Sequence, residues 1–199
     1  MYNESENSQD EHLALLLSED LDRSFVKLVT IYQYRLYGFI LRQTGNTHDA
    51  EDITQEALMR AYFALKSYST TQVAALKLQP WLYKITLNVF YSHRNTSRIR
   101  CISLDLSEEH LSDFDKEDQS PSPEEEIWWR EYRSELENLI AQLPPRYSLA
   151  INLRYFADLN YQEIAELLHQ PSGTIKSNIH RGIKLLRQMH GEAHLNEVK

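Results

Sequence analysis

The chain has 199 residues, of which 42% are hydrophobic and 25% are charged, and its formal net charge is -8. This hydrophobic fraction is typical of globular proteins and excludes a wholly disordered chain. No apolar run reaches the roughly 18 residues of a membrane span, and the N-terminus is too polar for a secretory signal, so we expect a cytoplasmic protein without membrane insertion. The single cysteine, Cys101, excludes an internal disulfide and a CxxC metal site.

An acidic chain is a poor candidate for binding nucleic acid only if its charge is evenly spread. The charge here is not even, because residues 1–24 carry a net charge of -6 and residues 101–135 carry -9, whereas 25–100 carry +6 and 136–199 carry +1. Two neutral-to-basic blocks are therefore preceded and separated by acidic segments. Both blocks remain candidates for binding nucleic acid.

The hydrophobic periodicity of these blocks predicts an all-α fold, in which two small helical domains are joined by a flexible acidic linker. The predicted parts are an acidic N-terminal tail at 1–24, a first domain at 25–100, the linker at 101–123, a second domain at 124–190 and a C-terminal tail at 191–199. The tail is expected to be a solubilising extension, and the alternative is that it screens the basic faces.

In chain order, apolar residues recur at three- and four-residue steps over 25–45, and Gly45 ends that helix. A second helix is predicted at 49–66. A loop over 67–79 follows, and Pro80 suits the first position of the next helix. After the linker, helices are predicted at 127–143, 146–157, 161–168 and 173–189.

The segment 160–187 has the layout of a helix-turn-helix. Its short first helix ends before Pro171, which disfavours a helical residue at the preceding position. In the second helix, the apolar face is formed by Ile175, Ile179, Gly182 and Leu186. The opposite face carries Ser177, His180, Arg181, Lys184 and Arg187, with Lys176 on its flank. Such a helix fits the major groove, where Lys and Arg bond guanine or phosphate, and the alternative is an ordinary surface helix with solvated charges.

Three segments resemble one known family. PPRYSLAINLRYFADLNYQEIAELLHQPSGTIKSNIHRGIKLLR at 144–187 resembles domain four of bacterial RNA polymerase sigma factors. DAEDITQEALMRAY at 49–62 and QPWLYKITLNVF at 79–90 resemble the core-binding and promoter-melting parts of sigma domain two. A chain with only these two domains resembles an extracytoplasmic-function (group four) sigma factor.

The resemblance implies an alternative sigma factor that directs core RNA polymerase to specific promoters and melts the DNA. The implied contacts with the polymerase, at its clamp and flap, include Asp52, Gln55, Glu56 and Met59. The implied contacts with the minus-ten element are Tyr83, Lys84, Asn88, Tyr91 and Arg94. The implied contacts with the minus-thirty-five element are Arg154, Thr174, Lys176, Ser177, His180, Arg181 and Lys184. Regulation by an anti-sigma factor is also implied.

Four positions depart from the family pattern. Leu87 stands where many members have Arg, Ser92 where an acidic or amide residue is common, Asn178 where Arg is frequent, and Gly182 where Ala is usual. These departures leave the promoter sequence open. Trp81 shares a helical face with the predicted contact Asn88, and we expect it to belong to the core rather than to serve as a stacking platform.

No enzyme signature such as a P-loop, GxSxG or HExxH occurs, and we expect no catalytic activity, cofactor or metal. His190 and His194 have the four-residue spacing of a metal-binding pair but lack a third ligand nearby. Two other functions remain open. One is a stand-alone helix-turn-helix regulator that binds DNA as a dimer. The other is a partner-switching module that sequesters polymerase without recognising promoters.

Overall fold

A computed structural model describes residues 3–100 and 136–197, with side chains over 8–94 and 136–191. Residues 3–100 belong to one compact unit and residues 136–197 to another. Every regular element within these two ranges is a helix, in agreement with the predicted all-α class. The predicted linker at 101–123 and the start of the predicted second domain lie outside the described residues.

The first unit contains five helices in its described residues: α1 (Asn3–Glu19), α2 (Leu21–Thr44), α3 (Thr47–Ser67), α4 (Thr70–Ala74) and α5 (Leu78–Arg100). Helix α2 ends at Gly45 as predicted, but it begins four residues before the predicted start at 25, and α3 begins two residues before the predicted start at 49. Gly45 adopts the left-handed conformation with φ 66°, which costs glycine no Cβ clash, and the Asn46 side chain accepts a hydrogen bond from the amide of Asp49 at 3.0 Å.

The core of the first unit lies between α2, α3 and α5, with α1 packed against α2 and α4. The largest fully buried side chains of this unit are Leu17, Leu28, Tyr32, Leu36, Phe39, Ile40, Ile53, Leu65, Leu78, Leu82 and Tyr83. Phe39 and Tyr83 meet edge to face with ring centroids 5.1 Å apart. This core fixes which faces of α3 and α5 point to solvent.

The prediction of an N-terminal tail at 1–24 is wrong for most of this segment, because residues 3–19 form helix α1. Leu13, Ala14 and Leu17 are buried, and the hydroxyl of Tyr32 on α2 donates to the carboxylate of Asp10 at 2.5 Å. Leu13, Ala14 and Leu17 have the three- and four-residue spacing of a buried helical face, and the acidity of the segment alone does not indicate it. Burial raises the pKa of Tyr32 far above its usual range, and the adjacent Asp10 carboxylate adds to the shift.

The loop predicted at 67–79 also contains a helix that the sequence pattern did not indicate. Ser69 and Gln72 form a capping box that starts α4, and Val73 is buried beneath it. The box satisfies free amides at the helix start, which explains how so short a helix forms. Pro80 lies in the first turn of α5, which begins at Leu78.

The second unit contains α6 (residues 136–141), α7 (Pro145–Ile151), a π-helical turn (Asn152–Phe156), α8 (Tyr161–Leu168) and α9 (Ser172–Glu197). Its buried cluster comprises Ile140, Leu143, Tyr147 and Ile151, against which pack Leu136, Phe156, Leu185, Leu186 and Met189. The helix predicted at 161–168 is confirmed. The C-terminal tail predicted at 191–199 is helical through Glu197, because a single glycine such as Gly191 weakens a helix by only about 1 kcal/mol.

Candidate nucleic-acid and protein interfaces

Helices α8 and α9 form the predicted helix-turn-helix. The side chain of Asn160 accepts hydrogen bonds from the amides of Gln162 and Glu163, each at 2.9 Å, and the Glu163 carboxylate accepts from the amide of Asn160 at 2.9 Å. This reciprocal capping box fixes the start of α8. His169 ends α8 in the left-handed conformation with φ 52°, and Pro171 precedes the first residue of α9.

Helix α9 has the two faces that its sequence predicts. Ile175 and Ile179 are buried against the rest of the unit. The predicted minus-thirty-five contacts Thr174, Lys176, His180, Arg181 and Lys184 are exposed, and Ser177 is half-buried. An exposed basic face on the second helix of a helix-turn-helix can approach phosphates and base edges in a major groove. Which of these side chains contacts DNA stays a prediction.

One aromatic ring joins two of the predicted contacts, a feature that the sequence did not predict. The Tyr161 ring lies 5.6 Å from the guanidinium carbon of Arg154 and 5.6 Å from Nζ of Lys176. Arg154 is also held by the carbonyl of Leu159 at 3.3 Å and by Asp158 at 3.4 Å. The Tyr161 ring therefore binds the cationic groups of Arg154 and Lys176 next to each other near the start of α9. No local sequence pattern indicates this, because the three residues come from three different elements.

Tyr147 on α7 is buried among positively charged side chains. Its hydroxyl accepts a hydrogen bond from Arg146 at 2.9 Å. Burial of Tyr147 works to raise its pKa, but the favourable influence of the positively charged Arg181 and Arg146 outweighs burial, and the pKa is lowered from its usual value.

Gly182 allows α9 to lie this close to α7. A Cβ built at Gly182 would stand 2.6 Å from Cδ1 of Ile151 and 3.2 Å from Cβ of Tyr147. The first distance is shorter than real Cβ contacts allow, so an alanine would force a shift. The departure from the usual alanine, noted in the sequence, thus has a structural reason in this chain.

The predicted polymerase-binding residues lie on the outer face of α3. Asp52 and Gln55 are exposed, Met59 is 56% exposed, and Glu56 is partly covered by an ion pair with Arg60 at 2.6 Å. A further exposed side chain lies on the same face of α3. Phe63, one turn after Met59, is 62% exposed. Its spacing from Met59 could have identified it, because residues four apart share a helical face.

The predicted minus-ten contacts on α5 divide into exposed residues and one buried residue. Lys84, Asn88 and Tyr91 follow one another at helical spacing and are exposed, as is Arg94. Tyr83 is only 1% exposed and packs against Phe39, so its prediction as a DNA contact is wrong. The reason is rotation, since a step of one residue turns a side chain by about 100° around the helix.

Two neighbouring positions on α5 refine this surface. Leu87 is 3% exposed, so the position where many family members have Arg faces the core in this chain. Trp81, expected in the core, is half-buried, and its ring centroid lies 6.2 Å from that of Tyr68. The exposed surface of α5 therefore combines amide, aromatic and basic groups, which can stack on and hydrogen-bond to unpaired bases.

These surfaces define a class of protein. A helix-turn-helix with an exposed basic helix is joined in one chain to a second helical unit that exposes aromatic, basic and apolar side chains. This is the architecture of a two-domain transcription factor. Within the described parts of the chain, no helix is both long and apolar enough to cross a membrane, and no three His, Cys, Asp or Glu side chains form a group that could hold a metal ion.

Comparisons with known proteins specify the family. The model of Sigma-70 region 2 matches residues 28–99, and the model of Sigma-70, region 4 matches residues 133–186. The chain is 33% identical over 173 residues to the ECF RNA polymerase sigma factor SigW of Bacillus subtilis, covering 83% of this chain and 88% of that protein. It is 30% identical over 176 residues to the RNA polymerase sigma-H factor of Pseudomonas aeruginosa, covering 87% and 89%.

Among solved structures, the sigma factor RpoE from Bartonella quintana, in complex with the anti-sigma factor NepR, has the same fold. The TM-score is 0.62 at 20% identity, over 85% of this chain and 98% of that chain. The chain belongs to the extracytoplasmic-function (ECF) sigma factors of RNA polymerase. This confirms the family resemblance and disfavours a stand-alone helix-turn-helix regulator, which would leave the first unit without a role.

Proposed function

We propose that this sigma factor binds core RNA polymerase through α3, holds the melted minus-ten element on α5 and reads the minus-thirty-five element with α9. It acts in the cytoplasm and has no catalytic activity of its own, since the polymerase performs the chemistry. The observation that carries the proposal is the exposed basic face of α9, set on a buried apolar face within a capped helix-turn-helix.

The contacts of α9 suit duplex DNA. Arg181 and Lys184 are exposed one turn apart and can reach guanine edges or phosphates. The pair of cations at Tyr161 lies near the start of α9, where the helix dipole also favours a phosphate. Residues 136–199 carry a net charge of only +1, so the domain gains little from charge alone. The free protein is therefore expected to bind promoters weakly and to depend on the polymerase for affinity.

The α5 surface suits single-stranded DNA. Opening a base pair costs a few kcal/mol of lost stacking, which captured bases must recover. Tyr91 offers an exposed ring, supported by Phe90 at 5.4 Å between centroids. Asn88 offers a hydrogen-bonding amide, and Lys84 and Arg94 offer charge to the backbone. These groups together provide stacking and hydrogen bonds in one place.

The α3 surface suits a protein partner. Met59 and Phe63 expose adjacent apolar side chains, and Asp52 and Gln55 flank them with polar groups. Aromatic and methionine side chains surrounded by polar groups are typical of the centre of a protein interface. The clamp of the largest polymerase subunit is the partner that the family indicates for this helix.

An anti-sigma factor is the proposed regulator. The related RpoE of Bartonella quintana was solved with the anti-sigma factor NepR. A regulator that covers Met59 and Phe63 would bury apolar surface and block the polymerase at the same time. Competition between an anti-sigma factor and core polymerase for these two side chains is the expected mode of control.

Run-off transcription with purified core enzyme and genomic promoter fragments tests the proposal. We expect transcripts that depend on this protein and that fail when either promoter element is replaced. Stable binding to the core enzyme without promoter-specific transcripts would instead indicate the partner-switching module. Tight, salt-sensitive DNA binding by the free protein as a two-fold dimer would instead indicate the stand-alone regulator.

A further inference from the structure

We propose that Tyr161 is a positioning residue for minus-thirty-five recognition, because its ring holds the ammonium group of Lys176 beside the guanidinium of Arg154. The inference rests on the proposed function and gives a role to a side chain that is not among the predicted contacts. Tyr161 is the first residue of α8, whereas Arg154 lies in the preceding π-helical turn and Lys176 near the start of α9. A single ring therefore joins three elements of the second unit.

The backbone that carries the ring is fixed by the capping box of α8. The amides of Gln162 and Glu163 each donate to the Asn160 side chain at 2.9 Å, and the amide of Asn160 donates to the Glu163 carboxylate at 2.9 Å. The chain cannot change direction at Asn160 without losing these hydrogen bonds. The ring of Tyr161, which is 36% exposed, thus extends from a defined backbone position.

Arg154 is held by other groups in addition to the ring. The amide of Leu159 donates to the carbonyl of Leu153 at 3.0 Å, which folds the chain back after the π-helical turn. The guanidinium of Arg154 donates to the carbonyl of Leu159 at 3.3 Å and to the carboxylate of Asp158 at 3.4 Å. Arg154 is therefore expected to keep its place without the ring, and Asp158 offsets part of its charge.

Lys176 depends on the ring more than Arg154 does. Its Nζ lies 5.6 Å from the centroid of the Tyr161 ring, and among the described residues this is the contact that restrains the ammonium group. The guanidinium carbon of Arg154 lies 5.6 Å from the same centroid. Two like charges so close to one point repel each other, and the negative face of the ring offsets that repulsion. The ring thus allows Lys176 to lie beside Arg154 before DNA is bound.

A lysine that is already restrained loses less on binding DNA. An exposed lysine samples many rotamers, and that freedom is lost when it contacts a phosphate or a base. Restraint by the Tyr161 ring removes part of this cost in advance, so the contact contributes more to affinity. A cation–π contact at an exposed site corresponds to about a two- to fivefold change in an equilibrium constant, which is the expected loss when the ring is removed.

The test compares Tyr161→Leu, Tyr161→Phe, Lys176→Met and the double variant of Tyr161→Leu with Lys176→Met, all as full chains in holoenzyme. Binding is measured on a promoter fragment and on the same fragment with a replaced minus-thirty-five element. Tyr161→Leu should lose about two- to fivefold on the intact promoter and little on the replaced one, and Tyr161→Phe, which keeps the ring, should restore binding. In the Lys176→Met background, Tyr161→Leu should have little further effect. Tyr155→Leu, which removes an exposed ring 5.9 Å from Arg154, is the matched control, and its effect should not depend on Lys176.

A second readout needs no DNA and no loss of binding. In NMR spectra of the free protein, the Hε protons of Lys176 should lie upfield of their position in an unfolded peptide, because the adjacent Nζ stands over the Tyr161 ring. Tyr161→Leu should remove this shift and Tyr161→Phe should keep it. Lys184, which is exposed on the same helix, is the reference whose signals should not change.

Three results would overturn the inference. The first is an equal loss from Tyr161→Leu with and without Lys176, which would indicate a merely structural role. The second is a loss in Tyr161→Phe as large as in Tyr161→Leu, which would assign the effect to the hydroxyl. The third is the absence of the upfield shift of Lys176. Each of them leaves promoter-specific transcription by the wild type intact, whereas a wild-type holoenzyme without such transcripts would overturn the proposed function and this inference together.

Discussion

Helices α3 and α9 are built alike on the inside and differently on the outside. Each buries a stripe of small or branched residues at helical spacing, such as Ile53 and Ala57 on α3 and Ile175 and Ile179 on α9. The exposed side of α3 is acidic and apolar, whereas that of α9 is basic and polar. The buried stripe determines where a helix lies in the fold. We expect the exposed face to determine whether the partner of the helix is a protein or DNA.

The comparison also explains how an acidic chain can bind DNA. The net charge of -8 is an average over segments of opposite sign, and the acidic surplus lies in residues 1–24 and 101–135. Part of the first acidic segment is folded, since α1 packs against α2 and α4. The exposed face of α9 carries none of that surplus. Local charge, rather than total charge, identifies the interface.

The largest expected effect comes from replacing a buried residue of α5, compared with replacing an exposed residue of the same helix. Tyr83→Ala should lower the free energy of unfolding by about 3–5 kcal/mol, because it leaves a cavity beside Phe39. Tyr91→Ala should lower it by less than about 1 kcal/mol and should instead reduce promoter melting. Chemical denaturation followed by circular dichroism and permanganate footprinting of the open promoter measure the two effects. Normal stability with lost melting in Tyr83→Ala would restore Tyr83 as a DNA contact.

The second prediction removes the apolar centre of the α3 surface. Met59→Ala combined with Phe63→Ala should weaken binding to core polymerase by about 2–3 kcal/mol, roughly 30- to 150-fold. Both side chains are more than half exposed, so the fold should be little affected. Affinity for the core enzyme is the measurement, and Lys184→Ala on α9 is the control that should leave it unchanged. Wild-type affinity in the double variant would move the polymerase-binding surface elsewhere.

The third prediction removes the central cation of the α9 surface. Arg181→Ala should weaken promoter use by about 1–2 kcal/mol, the range of one base or phosphate contact, without changing affinity for the core enzyme. Run-off transcription and core binding are compared in the same preparations. Equal losses in both would mean that the residue supports the fold rather than the DNA contact.

Local patterns predicted local features well. The bounds of α8, the α2–α3 hairpin and the two faces of α9 depend on caps and periodicity within one segment, and the sequence displays those directly. Helix α1 contradicts the predicted tail, because Leu13 and Leu17 are buried although the segment around them is acidic. Contacts between elements, such as those of Tyr161 with Lys176 or of Gly182 with Tyr147, depend on how helices pack. No local pattern in the sequence contains that information.

The smallest expected effect tests the closeness of α9 to α7. Gly182→Ala gains about 1 kcal/mol of helix propensity, but its Cβ would meet Ile151 at 2.6 Å, and overpacking of this kind costs about 1–3 kcal/mol. The net expectation is a loss of about 1 kcal/mol in the free energy of unfolding, measured by denaturation. Gly173→Ala is the matched control, because no atom lies within 4 Å of the place that its methyl group would occupy, and it should be neutral or stabilising. Equal stabilisation by both changes would show that a methyl group finds room beside Ile151 and Tyr147, and that the contact between α7 and α9 does not need a glycine at position 182.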